Sequence, residues 1–109
     1  GRGGFHHGID MAAVKGTPVK AVADGVVMYA DYTSGYGNTG VIAHNKKYRT
    51  RYAHLDKICT RVGRTVHCGE LIGRVGATGR VRKKGKDASH LHFELYAFGK
   101  QINPIYFLG

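Results

Sequence analysis

Several features are missing from this sequence, and each absence excludes a class of protein. No apolar run approaches the roughly 20 residues needed to cross a membrane, so the chain carries no transmembrane segment. No stretch sustains an apolar period of 3.6 residues, which argues against a domain built from packed helices. No apolar segment stands behind Gly1-Arg2-Gly3-Gly4, so a signal peptide is not expected in this stretch. Cysteine occurs only as Cys59 and Cys68 and not in C-x-x-C pairs, so a structural zinc site is not expected. A short-loop disulfide in an exported domain and two buried thiols in an intracellular one both fit that pair. Acidic residues are few, 7 against 17 basic ones, giving a net charge of +10. That excess implies an anionic partner or surface, with nucleic acid and an anionic cell-wall polymer as the candidates. The densest basic run is Arg80-Val81-Arg82-Lys83-Lys84-Gly85-Lys86, read first as a solvated loop.

What is present is glycine, 17 of 109 residues, roughly twice ordinary usage. No short repeat accompanies it, so it implies tight turns between short strands in one compact domain. Val19–Ala23 and Val26–Ala30 read as strands joined by a hairpin at Asp24-Gly25. Ser34-Gly35-Tyr36-Gly37-Asn38 is a second turn, and Val41–His44 and Tyr48–Leu55 are strands around Asn45-Lys46-Lys47. On the latter strand, Tyr48, Thr50, Tyr52 and His54 are expected to share a face. Glu70–Gly76 and His90–Tyr96 follow as strands, with a hairpin through Phe98-Gly99-Lys100 and Pro104 closing the last element. The predicted fold is mainly β, a single compact antiparallel sheet domain covering residues 1–109.

The chemistry concentrates in His90-Leu91-His92-Phe93-Glu94-Leu95. As a strand it sends Leu91, Phe93 and Leu95 to a core and His90, His92 and Glu94 to the opposite face. Near the other end, His6 and Asp10 are four apart, but Gly8 between them favours a loop or strand entry over a helix. A catalytic zinc site takes three protein ligands and keeps one position open for water. His6, Asp10 and one imidazole of the His90/His92 pair supply such a set, leaving the other imidazole as an acid/base group. Spacing alone does not say which is which.

His6-x-x-x-Asp10, Tyr52-Ala53-His54-Leu55 and His90-Leu91-His92-Phe93-Glu94, in this order, resemble the signature segments of the lysostaphin/LytM-type zinc metallopeptidases. Gly16-Thr17-Pro18-Val19-Lys20-Ala21, Asp24-Gly25-Val26-Val27, Gly69-Glu70-Leu71-Ile72-Gly73 and Ile102-Asn103-Pro104 extend the likeness over nearly the whole chain. The resemblance implies one zinc ion per chain held by His6, Asp10 and His92, with His54 and His90 catalytic. It implies hydrolysis of peptide bonds in peptidoglycan stem peptides or cross-bridges, outside the cytoplasm, in a groove over the metal. With the first ligand so close to Gly1, a domain cut from a longer exported or membrane-anchored precursor is expected.

The sequence departs from the family pattern where Ser89 precedes His90 and the loop Arg80–Ser89 is long and basic, a candidate groove wall. His7 offers a second possible ligand beside His6. His44 is expected to be structural, His67 to lie on the surface, and Glu94 to orient His92 or pair with an arginine. Tyr36, Asn38 and Tyr52 either border the groove or serve in plainer roles, turn formation for Asn38 and packing for the tyrosines, and the plainer roles are the expected ones. Two rival readings remain, a non-enzymatic module of this fold that binds the wall or activates an amidase, and a nucleic-acid binder. The second rests on charge alone, so the positive surface is read as attraction to an anionic envelope and no nucleic-acid partner is expected. The sequence does not indicate an oligomeric state.

Overall fold

The computed structural model describes residues 8–79 and 89–102. Its strands are β1 (Ile9–Ala12), β2 (Pro18–Lys20), β3 (Gly25–Thr33), β4 (Gly37–Ala43), β5 (Tyr48–Ile58), β6 (Thr65–Val66), β7 (Leu71–Val75), β8 (His90–Ala97) and β9 (Lys100–Ile102). All pairings are antiparallel and belong to one sheet, and the described residues contain no helix. The expected mainly β, single-sheet architecture is therefore observed.

The organising element is β5, the longest strand. It pairs with β4 along one edge; along the other it pairs first with β8, from Tyr48↔Ala97 to Ala53↔His92, and then with β7. β8 in turn takes β1 beside its first half and β9 beside its second. Alternation along β5 and β8 gives the sheet a closed face and an open one. Thr50, Tyr52, Leu55, Phe93 and Leu95 are buried on the first with Val19, Val27, Ile42, Val66, Ile72 and Val75. Tyr52 and Phe93 meet edge to face at 5.4 Å, and burying each such side chain contributes about 2 kcal/mol. The Tyr52 hydroxyl accepts from the Val22 N–H and the Thr50 hydroxyl, so this core phenol is satisfied. Tyr52 thus packs in the core, the plainer of the two roles considered for it.

The turns at Ser34–Asn38, Asn45–Lys47 and Phe98–Lys100 close hairpins as expected. The Asp24-Gly25 hairpin does not form. β2 ends at Lys20 and pairs with β7, whereas β3 pairs with β4 and β6. Asp24 Oδ1 instead accepts from the Cys68 N–H, tying the link to the β6–β7 turn. Cys59 and Cys68 are free thiols.

Candidate functional site

The site is assembled on the open face of β8. Gly8 precedes β1 with φ 97°, and a Cβ there would lie 2.2 Å from the Phe93 carbonyl oxygen, so only glycine lets the chain enter this close to β8. The register then sets Asp10 directly opposite His92 and Ala12 opposite His90. Cross-strand neighbours on one face approach closely, and Asp10 Oδ1 lies 2.7 Å from His92 Nδ1 and 3.8 Å from His90 Nε2. The strand-entry reading of the Asp10 segment is therefore the observed one. His6 and His7 lie outside the described residues, as does Arg80–Lys86 in the loop before Ser89.

His54 reaches this face by a distortion. Leu55 pairs with Asn38 and Tyr52 with Gly40, so β5 runs three residues where β4 runs two. Ala53 and His54 form the bulge, and His54 adopts φ 61°, a left-handed conformation costly for a residue with a Cβ. Simple alternation puts His54 beside Tyr52 on the core face. The bulge turns it over, with its ring centroid 4.9 Å from that of His90 and 5.9 Å from that of His92. The backbone is held there by the His54 N–H donating to the Tyr36 carbonyl at 2.8 Å.

His54 Nδ1 lies 2.7 Å from the Thr78 carbonyl oxygen. A carbonyl only accepts, so Nδ1 carries the proton and Nε2 presents a lone pair. Burial lowers the His54 pKa, partly opposed by the bond to Thr78, and favours the neutral ring. Thr78 is itself fixed, its hydroxyl donating to the Leu55 carbonyl and accepting from the Asn38 N–H. Gly37 and Gly79, at φ 73° and 77°, permit this contact: a Cβ on Gly79 would lie 2.3 Å from the Gly37 nitrogen. Asn38 serves this turn, its amide donating to the Leu55 and Asp56 carbonyls, which is the turn-forming role expected for it.

Behind His92 is Glu94, a carboxylate only 1 % exposed. Its Oε2 meets His92 Nε2 at 2.8 Å and the Tyr36 hydroxyl at 3.0 Å. Its Oε1 accepts from the Tyr96 hydroxyl at 2.7 Å and faces Arg51 Nη1 at 3.4 Å. The Arg51 guanidinium also lies over the Tyr36 and Tyr96 rings, at 4.5 and 5.6 Å. Burial pushes the Glu94 pKa up, but these donors outweigh it and the pKa is lowered. The same burial pulls His92 down, and its bonds to Glu94 and Asp10 leave it raised. Burial and the Glu94 charge drive the Tyr96 phenol well above its usual range. Both anticipated roles of Glu94, orienting His92 and pairing with an arginine, are thus observed together.

Two donors on one ion, each about 2.0–2.2 Å from it, sit about 3 Å apart. The Asp10 Oδ1 and His92 Nδ1 separation is close to that, and Glu94 fixes the imidazole with Nδ1 towards Asp10. The described residues present no group of three such ligands, so the pair is the described part of any metal site. The other histidines are separate from it. His44 is a structural bridge between the Asp24 carbonyl and the Thr50 hydroxyl, and His67 is exposed beyond β6. Thr78, Arg51 and Tyr96 escaped sequence reasoning. Tyr96 was within reach, since it continues the His92, Glu94 alternation; Arg51 required the β5–β8 register, and the Thr78 contribution is a backbone atom with no side-chain signal.

The sequence matches peptidase family M23 over residues 4–104. The chain belongs to that family. Among curated M23 relatives, DD-carboxypeptidase/endopeptidase Mpg of Neisseria meningitidis is 44 % identical over 101 residues, covering 93 % of this chain and 22 % of Mpg. Murein hydrolase activator NlpD of Escherichia coli is 40 % identical over 106 residues, covering 96 % of this chain and 26 % of NlpD. The chain therefore spans about a quarter of the length of these relatives. Among solved structures, the catalytic domain of the antimicrobial peptidase lysostaphin from Staphylococcus simulans superposes with TM-score 0.83 at 34 % identity, covering 97 % of this chain and 80 % of that one. A zinc-containing peptidase from Vibrio cholerae superposes with TM-score 0.83 at 40 % identity, covering 90 % of this chain and 29 % of that one. Membership of M23 supports a peptidase-type, metal-dependent and peptidoglycan-related domain, while the names of the relatives cover both hydrolase and activator.

Proposed function

We propose that this M23 domain is a zinc-dependent endopeptidase that hydrolyses stem peptides or cross-links of peptidoglycan, working outside the cytoplasm as the catalytic part of a longer, exported or membrane-anchored protein. The observation that carries the reading is the pairing of Asp10 Oδ1 with His92 Nδ1 at 2.7 Å beside a His54 ring whose Nε2 lone pair is left open by the bond to Thr78. His6, Asp10 and His92 would hold one zinc ion, which when bound supplies a Lewis acid that polarises a carbonyl and makes water acidic. His54 Nε2 accepts the proton of the attacking water, its tautomer enforced by the Thr78 carbonyl. His90, 15 % exposed at its side chain and beside Asp10, donates a hydrogen bond to the developing oxyanion, and the proton taken up by His54 goes on to the leaving amine. Glu94 keeps the His92 ring from turning, and the arginine and tyrosines around it keep Glu94 ionised.

A second reading has its own support, the 40 % identity to a murein hydrolase activator. In that case the domain binds the wall or stimulates a separate amidase and cuts nothing itself. Incubating the zinc-loaded chain with purified sacculi and analysing the released muropeptides by mass spectrometry separates the two. The hydrolase reading expects soluble peptide-cleaved fragments, abolished by chelator and restored by zinc. Zinc-loaded protein that releases nothing alone, but accelerates an added amidase, would overturn it.

A further inference from the structure

Beyond Glu94 the open face continues into a trough lined with positive charge. A cavity of about 350 Å³ is bounded by Lys46, Lys47, Arg49 and Arg51, with Tyr96 and Phe98 as its aromatic wall. A second hollow of about 400 Å³ shares Val41, Arg49 and Arg51 with it and extends the trough across β4 towards Tyr29 on β3. No carboxylate lines either one. Arg49, Lys46 and Lys47 make no ion pair with any described residue, and Lys47 Nζ rests over the Tyr48 and Phe98 rings at 5.0 and 5.3 Å. Arg51 spends one nitrogen on Glu94, while its Nε is buried without a hydrogen-bond partner. Three cations without a counter-charge, beside a fourth that shares Glu94, repel one another, an arrangement that an incoming anion relieves.

The register ties this trough to the site. His92 lies opposite Ala53, Glu94 opposite Arg51 and Tyr96 opposite Arg49, so Arg49 stands four residues of β8 from His92. At about 3.3 Å per residue that is about 13 Å, the length of about four residues of an extended peptide. We propose that the trough of Arg49, Arg51, Lys46 and Lys47 is a subsite for a carboxylate carried by an acidic peptide whose scissile bond lies over Asp10 and His92. The planar guanidinium of Arg49 matches a carboxylate in two parallel hydrogen bonds, and Val41, Tyr96 and Phe98 pack against the methylenes that bear it. A small acidic side chain fits this volume, whereas a polyanion would need its charges matched well beyond the trough. This subsite rests on the hydrolase reading for its scissile bond but not for its binding.

The test uses sacculi stripped of phosphate polymers, in native form and after amidation of their carboxylates, with the full zinc-loaded chain. Native sacculi should bind, and be digested, at least about tenfold better than amidated ones. Arg49→Gln should bring that ratio close to one, while Arg61→Gln, which removes the same charge from a turn outside the trough, should keep it. Sedimentation of metal-free protein with the two sacculi reads binding without hydrolysis. Selective binding that Arg49→Gln erases, with no digestion by wild type, upholds the subsite and overturns the hydrolase reading. A wild-type ratio near one, equal losses in Arg49→Gln and Arg61→Gln, or displacement by polyphosphate at lower charge concentration than by poly-glutamate would each overturn the subsite.

Discussion

The two faces of β8 share one backbone and follow different rules. Phe93 and Leu95 need only be apolar and of the right volume, and apart from Tyr52, which meets Phe93 edge to face, the buried cluster they belong to is aliphatic. His92, Glu94 and Tyr96 each need a named partner at a set distance, and those partners come from β1, β5 and the β3–β4 turn. The contrast shows why a face that stabilises the domain tolerates conservative change and a face that gathers ionisable groups does not: shape can relax locally, whereas an unpaired buried charge cannot.

The sharpest way to break the comparison is at Asp10. Asp10→Ala should reduce bound zinc from one per chain to near none and slow sacculus digestion by at least about 1,000-fold, read by elemental mass spectrometry and a turbidity assay. His54→Ala should keep the zinc and still slow digestion by about 10²–10⁴-fold. Release of metal from His54→Ala as ready as from Asp10→Ala would mean that the assigned roles are wrong. On the core face, Phe93→Ala should cost about 3–5 kcal/mol in urea unfolding, whereas Phe93→Leu should cost about 1.5 kcal/mol or less. Glu94→Gln sharpens the contrast because it is as conservative in shape. It should weaken zinc binding by about 10–100-fold in competition with a chromophoric chelator, with an unchanged circular dichroism spectrum. Far from both faces, Lys15→Met breaks the exposed 3.6 Å pair with Asp56 and should shift stability by about 0.5 kcal/mol or less.

Alternation made much of this legible in the sequence. The split of His90, His92 and Glu94 from Leu91, Phe93 and Leu95 needs only a period of two, and it matches the observed division between site and core. Gly8 beside Asp10 was enough to favour an extended entry, and β1 is a strand. His54 was legible as a residue and not as a direction, because the bulge that turns it depends on β4 being one residue shorter opposite it. Asp24-Gly25 carried a true turn signal with the wrong partners, since local chemistry reports that a chain bends and not which strand it bends towards. The Arg51–Glu94 contact needed the strand register, which no single sequence displays.

The bond between Asp10 and His92 spans 82 positions. Both halves of that pair must be synthesised, and β8 must dock between β5 and β1, before anything resembling the site exists. The paired carboxylate and imidazole are therefore a product of the finished sheet, and no shorter stretch of the chain holds both.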